Sequence, residues 1–346
     1  MQVSALQRGM TAFSRVAIAA MCALAAVFAG ATAGPAAAEP KVKIVATTGM
    51  IADAARVIAG DAATVRALMG PGVDPHAYRQ TRSDVVAMVR ADLVLAHGLY
   101  LEAQMEDFFA QLRSRRGGAD KVVIVGEAVP RDNLLAHDDY DGRFDPHVWM
   151  DTALWRHVVE RVRDALTAVR PGLGDEFARR TRSYLDELAA LGAYADRQLA
   201  TVPEAARVLV TAHDAFNYFG RAHGFEVVGV QGISTESEAG LNRIKELVDL
   251  LVARQIGAVF VETSVSDRLI RALIEGAAAR GHVVTIGGAL YSDAMGPEGT
   301  YVGTYIGMID HNTTVITRAL GGSAPAAGLN GSLTLEGRAS AVRGAG

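Results

Sequence analysis

The feature that most limits what this chain can fold into is a pattern that runs twice. Short apolar, β-branched segments alternate with longer helix-favouring ones, and the alternation restarts after a long helical stretch. The first run predicts strands at Lys41–Ala46, Thr64–Met69, Asp92–Ala96 and Val122–Val125, with helices at Ile51–Ala59, Ser83–Arg90 and Glu102–Arg113. The second predicts strands at Arg207–Thr211, Glu226–Val230, Ala258–Val261 and Val283–Ile286, separated by helices at Ala215–Ala222, Leu241–Arg254 and Asp267–Arg280. Alternation of this kind gives βαβ units, because parallel neighbours need a crossover connection. The reading is an α/β protein of two similar lobes, each a mainly parallel four-stranded sheet flanked by helices.

Between the two runs, residues 174–199 hold no proline and one internal glycine, Gly192. The segment is charged, rich in Ala and Leu, and helix-favouring. At roughly 1.5 Å per residue it would extend about 40 Å. We read 174–201 as one rigid helix joining an N-terminal lobe, 39–173, to a C-terminal one, 202–321. A plain surface helix of the first lobe is the alternative. Beyond Leu320 the chain turns to Gly, Ala and Ser, and 322–346 is expected to be a disordered tail.

Residues 1–38 read as a cleaved signal peptide. Arg8 and Arg15 form a basic start, Val16 to Ala29 is apolar and uncharged, and Ala36-Ala37-Ala38 offers a small-residue cleavage site. The apolar run is shorter than the ~20 residues a membrane span requires. Cys22 is the only cysteine. A lipoprotein would acylate it, but Met21 is bulky where a small residue belongs, so cleavage to a periplasmic protein is the preferred reading. The mature chain then has no thiol, and any metal ligand must be His, Asp or Glu. Charged residues are 21% of the chain and hydrophobic ones 50%, which fits a folded domain rather than a disordered one. The net charge is −4 with no long basic stripe, so no nucleic-acid partner is expected.

Two tripeptides repeat: Asp74-Pro75-His76 and Asp145-Pro146-His147. Pro and His are scarce here, at 10 and 9 residues, so the repetition carries information. Proline fixes its own φ and restricts the residue before it, which holds the following His on a stiff backbone. Metal ligands need that placement. His213, in Leu209–Phe216, directly follows a predicted strand, and ligands in open α/β sheets bind beyond the carboxyl ends of strands. Asp293 lies past the last predicted strand. Taken singly, His213 and Asp293 read first as structural residues, the latter as a turn or helix cap, with a ligand role as the alternative.

These segments resemble the zinc/manganese solute-binding proteins of ABC uptake systems, the TroA/ZnuA-like family. The resemblance rests on GVDPHAYRQTRSDV (72–85), ADLVLAHGLYLE (91–102), FDPHVWMD (144–151), residues 209–240, LYSDAMG (290–296) and GTYIGMIDHN (303–312). It spans roughly Lys41 to Leu320. It implies two α/β lobes joined by one long helix, with one metal between them held by His76, His147, His213 and Asp293. It also implies delivery of that metal to a membrane ABC permease with its ATPase, from a protein read as a monomer and not an enzyme.

Three imidazoles and a carboxylate suit Zn2+, and intrinsic affinity favours it over Mn2+. Manganese-type relatives often carry Glu where this chain has His213. Zinc-type relatives often carry a long His-rich loop, whereas residues 131–144 hold only His137, with Asp138, Asp139 and Asp141. Zinc is the preferred cargo and manganese the alternative. His97 could stand behind the site, while His157, His223, His282 and His311 read as helix or loop residues. Glu236 and Glu238 read as loop-capping, with the cleft or a membrane partner as alternatives. Two other functional classes stay open on the sequence: a zinc-dependent hydrolase and a metal-stabilised surface adhesin. No HExxH motif is present, which weighs against a metalloprotease.

Overall fold

The computed structural model describes residues 40–115, 121–136 and 142–333. The segment expected to be a signal peptide, with Cys22, as well as His137 with its acidic neighbours 138, 139 and 141, and residues 334–346, lie outside the described residues.

The first lobe is built on β1 (Val42–Ala46), β2 (Ala63–Ala67), β3 (Leu93–Ala96) and β4 (Val122–Ile124), in the order β2-β1-β3-β4. All pairings are parallel, with Ile44 opposite Val65 on one side and Leu93 on the other. Crossovers are made by α1 (Gly49–Ala59), α2 (Arg82–Arg90) and α3 (Glu106–Ser114). Local chemistry sets the starts of the first two. Thr48 caps α1, and Thr81 and Asp84 form a reciprocal capping box at α2. Strands β1 and β3 are apolar and mostly buried because helices cover both faces of the sheet.

After α4 (Thr152–Val169), whose first turn is capped by Asp151, comes α5 (Gly174–Leu199). Its buried residues Phe177, Thr181, Tyr184, Leu188, Leu191 and Ala195 recur at three- and four-residue intervals, forming one stripe. That stripe packs on α1 and α4 of the first lobe and on α9 (Tyr305–Ala319) of the second. The helix is therefore embedded along both lobes. At Gly192 a Cβ would stand 2.6 Å from Thr152 Oγ1, so glycine is what permits the close approach of α5 to α4.

The second lobe holds β5 (Val208–His213), β6 (Glu226–Gln231), β7 (Ala258–Glu262) and β8 (Thr285–Leu290), with α6 (Asn217–His223), α7 (Leu241–Ala253) and α8 (Arg268–Ala278). β5 pairs with β6 and β7 with β8, both parallel. β5 and β7 run side by side, yet the described ladders form two pairs rather than one four-stranded sheet. At the end of β5 the His213 amide donates to the Glu262 carboxylate, a side chain, 2.9 Å away. The last strand starts at Thr285, not Val283, which is 77% exposed in the loop before it.

One apolar cluster runs through both lobes, from Ile44 and Trp155 through Tyr184 and Leu188 to Phe216, Phe260 and Met308. Each fully buried side chain of this size contributes about 1.5–3 kcal/mol, so the lobes are fused by their core. The expected disordered tail is corrected over 322–333. Ala324 and Leu333 are buried there, and the Leu329 amide donates to Asp310 of α9.

Candidate metal centre

The sequence scatters the four candidate ligands; the fold brings them to one point. His76 lies in the loop between β2 and α2, and His147 precedes α4. His213 is the last residue of β5 rather than the residue after a strand, and Asp293 follows β8. One ligand atom from each lies within 4.8 Å of all the others, and all four residues are buried. His76 Nε2 and His147 Nε2 are 3.2 Å apart. Asp293 Oδ2 stands 3.1 Å from His213 Nε2 and 3.9 Å from His76 Nε2, and Asp293 Oδ1 is 3.4 Å from His147 Nε2.

A tetrahedral shell with bonds of about 2.0–2.1 Å has ligand–ligand edges of about 3.4 Å. The observed separations cluster around that value. No hydrogen bond occupies Asp293 Oδ1, Asp293 Oδ2 or His213 Nε2, although all three are buried. Buried polar atoms without partners are costly. A cation at their common point removes that cost, so the donor set fits a metal ion.

Carboxylates behind two of the rings fix which nitrogen faces inward. Asp145 Oδ1 accepts from His147 Nδ1 at 2.7 Å and from the His147 amide at 2.9 Å. Glu262 Oε2 accepts from His213 Nδ1 at 2.6 Å. An ionised carboxylate only accepts, so Nδ1 carries a hydrogen and Nε2 faces the site, where it offers a lone pair to an ion once its own proton leaves. Glu262 was not legible as a participant. The signal available was an acid ending the apolar run Ala258–Val261, at the carboxyl end of a strand.

Burial would lower the pKa of His147, but the Asp145 and Asp293 carboxylates push it up to about 9. Burial likewise opposes the charge on His213, and Glu262 and Asp293 hold its pKa well above the ordinary value. Burial raises the Asp293 carboxyl, and the His213 and His147 rings hold it well below the carboxylate range. His76 is pushed down to about 3 by burial, against the pull of Asp293.

Around these lies a brace that crosses the lobes. Trp149 Nε1 donates to the Ser292 carbonyl, and Tyr305 Oη donates to the Trp149 carbonyl, both at 2.8 Å. Tyr218 Oη donates to the Asp145 carbonyl at 2.8 Å, and Asn217 Nδ2 to Asp145 Oδ2 at 3.1 Å. His97 stands behind the site: its Nε2 donates to the Pro146 carbonyl at 2.7 Å, and its ring meets Trp149 edge-on. Burial pushes its pKa down to about 4, which keeps it a neutral prop.

Among the remaining sequence candidates, His223 bonds Asp196, His282 the Ile256 carbonyl and His311 the Ala289 carbonyl. His157 sits half-buried on α4, outside the ligand cluster. Glu236 accepts from Gln104 across the cleft, and Glu238 pairs with Arg268.

The family whose model matches residues 44–319 is described as zinc-uptake complex component A, periplasmic. The chain is 46% identical over 283 residues to the manganese-binding lipoprotein MntA of Bacillus subtilis, covering 82% of this chain and 91% of that one. It is 46% identical over 285 residues to the zinc-binding protein TroA of Treponema pallidum, again covering 82% and 91%. The solved structure of that periplasmic zinc-binding protein superposes with a TM-score of 0.78, over 81% of this chain and 99% of that one.

Proposed function

The chain belongs to the family of periplasmic zinc-uptake components, and from that premise we propose that it carries one divalent transition-metal ion on His76, His147, His213 and Asp293. Members of this family are metal-binding proteins of uptake systems rather than enzymes. The metal is cargo. In this reading the protein works outside the cytoplasmic membrane as a monomer and hands the ion to an ABC permease driven by its ATPase. Among the described residues no helix is long and apolar enough to cross a membrane.

The observation that carries the reading is the convergence of four buried ligand atoms within 4.8 Å of one another. Four protein donors fill a tetrahedral shell, so no position is left to activate water, unlike a catalytic zinc site. That sets the hydrolase reading aside. A metal-stabilised surface adhesin could use the same donors, and the relatives named for metal binding favour the carrier reading. Three nitrogens and one oxygen bind Zn2+ more tightly than Mn2+. The two 46% relatives are named for different metals, so zinc is preferred here on the chemistry of the donors.

The test is elemental analysis of the protein purified from its native compartment, paired with the His213→Ala variant. One equivalent of zinc in the wild type and none retained by the variant is the expected result. Full retention by the variant overturns the assignment.

A further inference from the structure

The four ligands are not held equally. His147 and His213 each have a carboxylate behind Nδ1. The His147 segment is tied to the second lobe through Asn217, Tyr218, Ser292 and Tyr305. Asp293 follows Ser292, whose carbonyl takes the Trp149 bond. These three ligands form a braced set in the shared interior.

His76 is different. Among the described residues no carboxylate backs its ring, and it stands in the irregular loop 68–81. Its position is set through the backbone: Asp74 Oδ1 accepts from the His76 amide at 2.8 Å. The other oxygen of Asp74 accepts from Thr235 Oγ1. Thr235 belongs to the second-lobe segment 232–240 between β6 and α7, and its neighbour Glu236 accepts from Gln104 of the first lobe. At Gly72 an added Cβ would stand 3.4 Å from the Thr263 carbonyl, so the same loop also rests on the second lobe there. One carboxylate thus links the ligand's backbone to a hydroxyl across the cleft.

We infer that Thr235 is a positioning residue that latches His76 through Asp74 and sets the rate at which the ion leaves. With the latch closed, His76 completes the shell and the site is sealed. With the Thr235–Asp74 bond broken, the loop is free to withdraw His76, and three ligands remain to a departing ion. Thr235 touches no metal and acts only through Asp74. The inference rests on the four-ligand reading above.

The experiment measures zinc dissociation into an excess of a chromophoric chelator, with wild type, Thr235→Val and Thr235→Ser. A hydrogen bond to a charged group is strong enough that its loss accelerates release about tenfold or more. Thr235→Val is expected to do so while changing the association rate by less than about threefold. Thr235→Ser, which keeps the hydroxyl, is expected to stay near wild type. In an Asp74→Asn background, Thr235→Val should add little, because the bond is already weakened. Wild-type release from Thr235→Val, or equal acceleration in both backgrounds, overturns the latch. If wild type itself takes up no zinc, the four-ligand reading fails, which is a distinct result.

Discussion

The lobes meet along two faces of different chemistry. At the rear, α5 lays one apolar stripe along helices of both lobes, and Trp155 stacks on Tyr305 with ring centroids 5.1 Å apart. A single buried carboxylate, Asp53 of α1, accepts from the Tyr305 amide at the start of α9 and from the Tyr184 hydroxyl of α5. At the front, the contacts are polar: the four candidate ligand atoms, the Thr235–Asp74 bond and the Gln104–Glu236 bond. Apolar burial holds in any state of the site, whereas the front gains its full set of bonds only with an ion in place. The difference teaches how a binding protein can hold cargo tightly and still release it. In the proposed reading the rear keeps the lobes in register while the exchange takes place at the front.

The comparison breaks most visibly at Leu188, which is 1% exposed in the rear stripe. Leu188→Ala is expected to cost about 2–5 kcal/mol of stability. Denaturant melts of the metal-free protein measure that loss, and zinc affinity should move less than about threefold. A large loss of affinity from this substitution would mean the two faces are not separable.

At the front, Glu262→Gln should behave the opposite way. It removes the charge behind His213 Nδ1 and lowers zinc affinity about 10–100-fold. Competition with a chelator of known affinity checks this, and an unchanged affinity would show that Glu262 only packs.

The third difference is in pH. In the metal-free protein the Asp145 and Asp293 carboxylates hold the His147 pKa up at about 9, above the ordinary imidazole value of about 6.5. Its contribution to stability is therefore complete below about 6.5 and is lost as pH rises through about 9. The ion needs a neutral His147 Nε2, so over the same window zinc affinity should rise, by about tenfold per pH unit for each proton released. Calorimetry in buffers of different ionisation enthalpy reads the proton count. A count of zero at pH 7.5 would contradict the arrangement.

Much of this was legible in the residues. The doubled strand–helix alternation carries the fold because apolar period and turn chemistry act locally. The repeated Asp-Pro-His marks two candidate ligands because proline announces a stiff backbone in the sequence itself. His213 and Asp293 needed the family resemblance, since an isolated His or Asp has no local signature. Glu262, Trp149 and Thr235 were out of reach. Each works through a partner distant in sequence, such as Glu262 on His213 and Thr235 on Asp74, and such pairings exist only once the chain is folded. Over 322–333 the order of the tail was missed for a related reason. Its Gly/Ala/Ser composition reads as unstructured, yet Gly328 at φ 71 lets the chain turn tightly over Asp310.

In the proposed site three imidazoles and one carboxylate share one ion with nothing else in the shell. X-ray absorption at the zinc edge of the loaded protein tests it directly. The account predicts four light-atom scatterers near about 2.0–2.1 Å, with the outer-shell pattern of three imidazole rings. Two or fewer rings, or a coordinated water that exchanges with solvent, would contradict it.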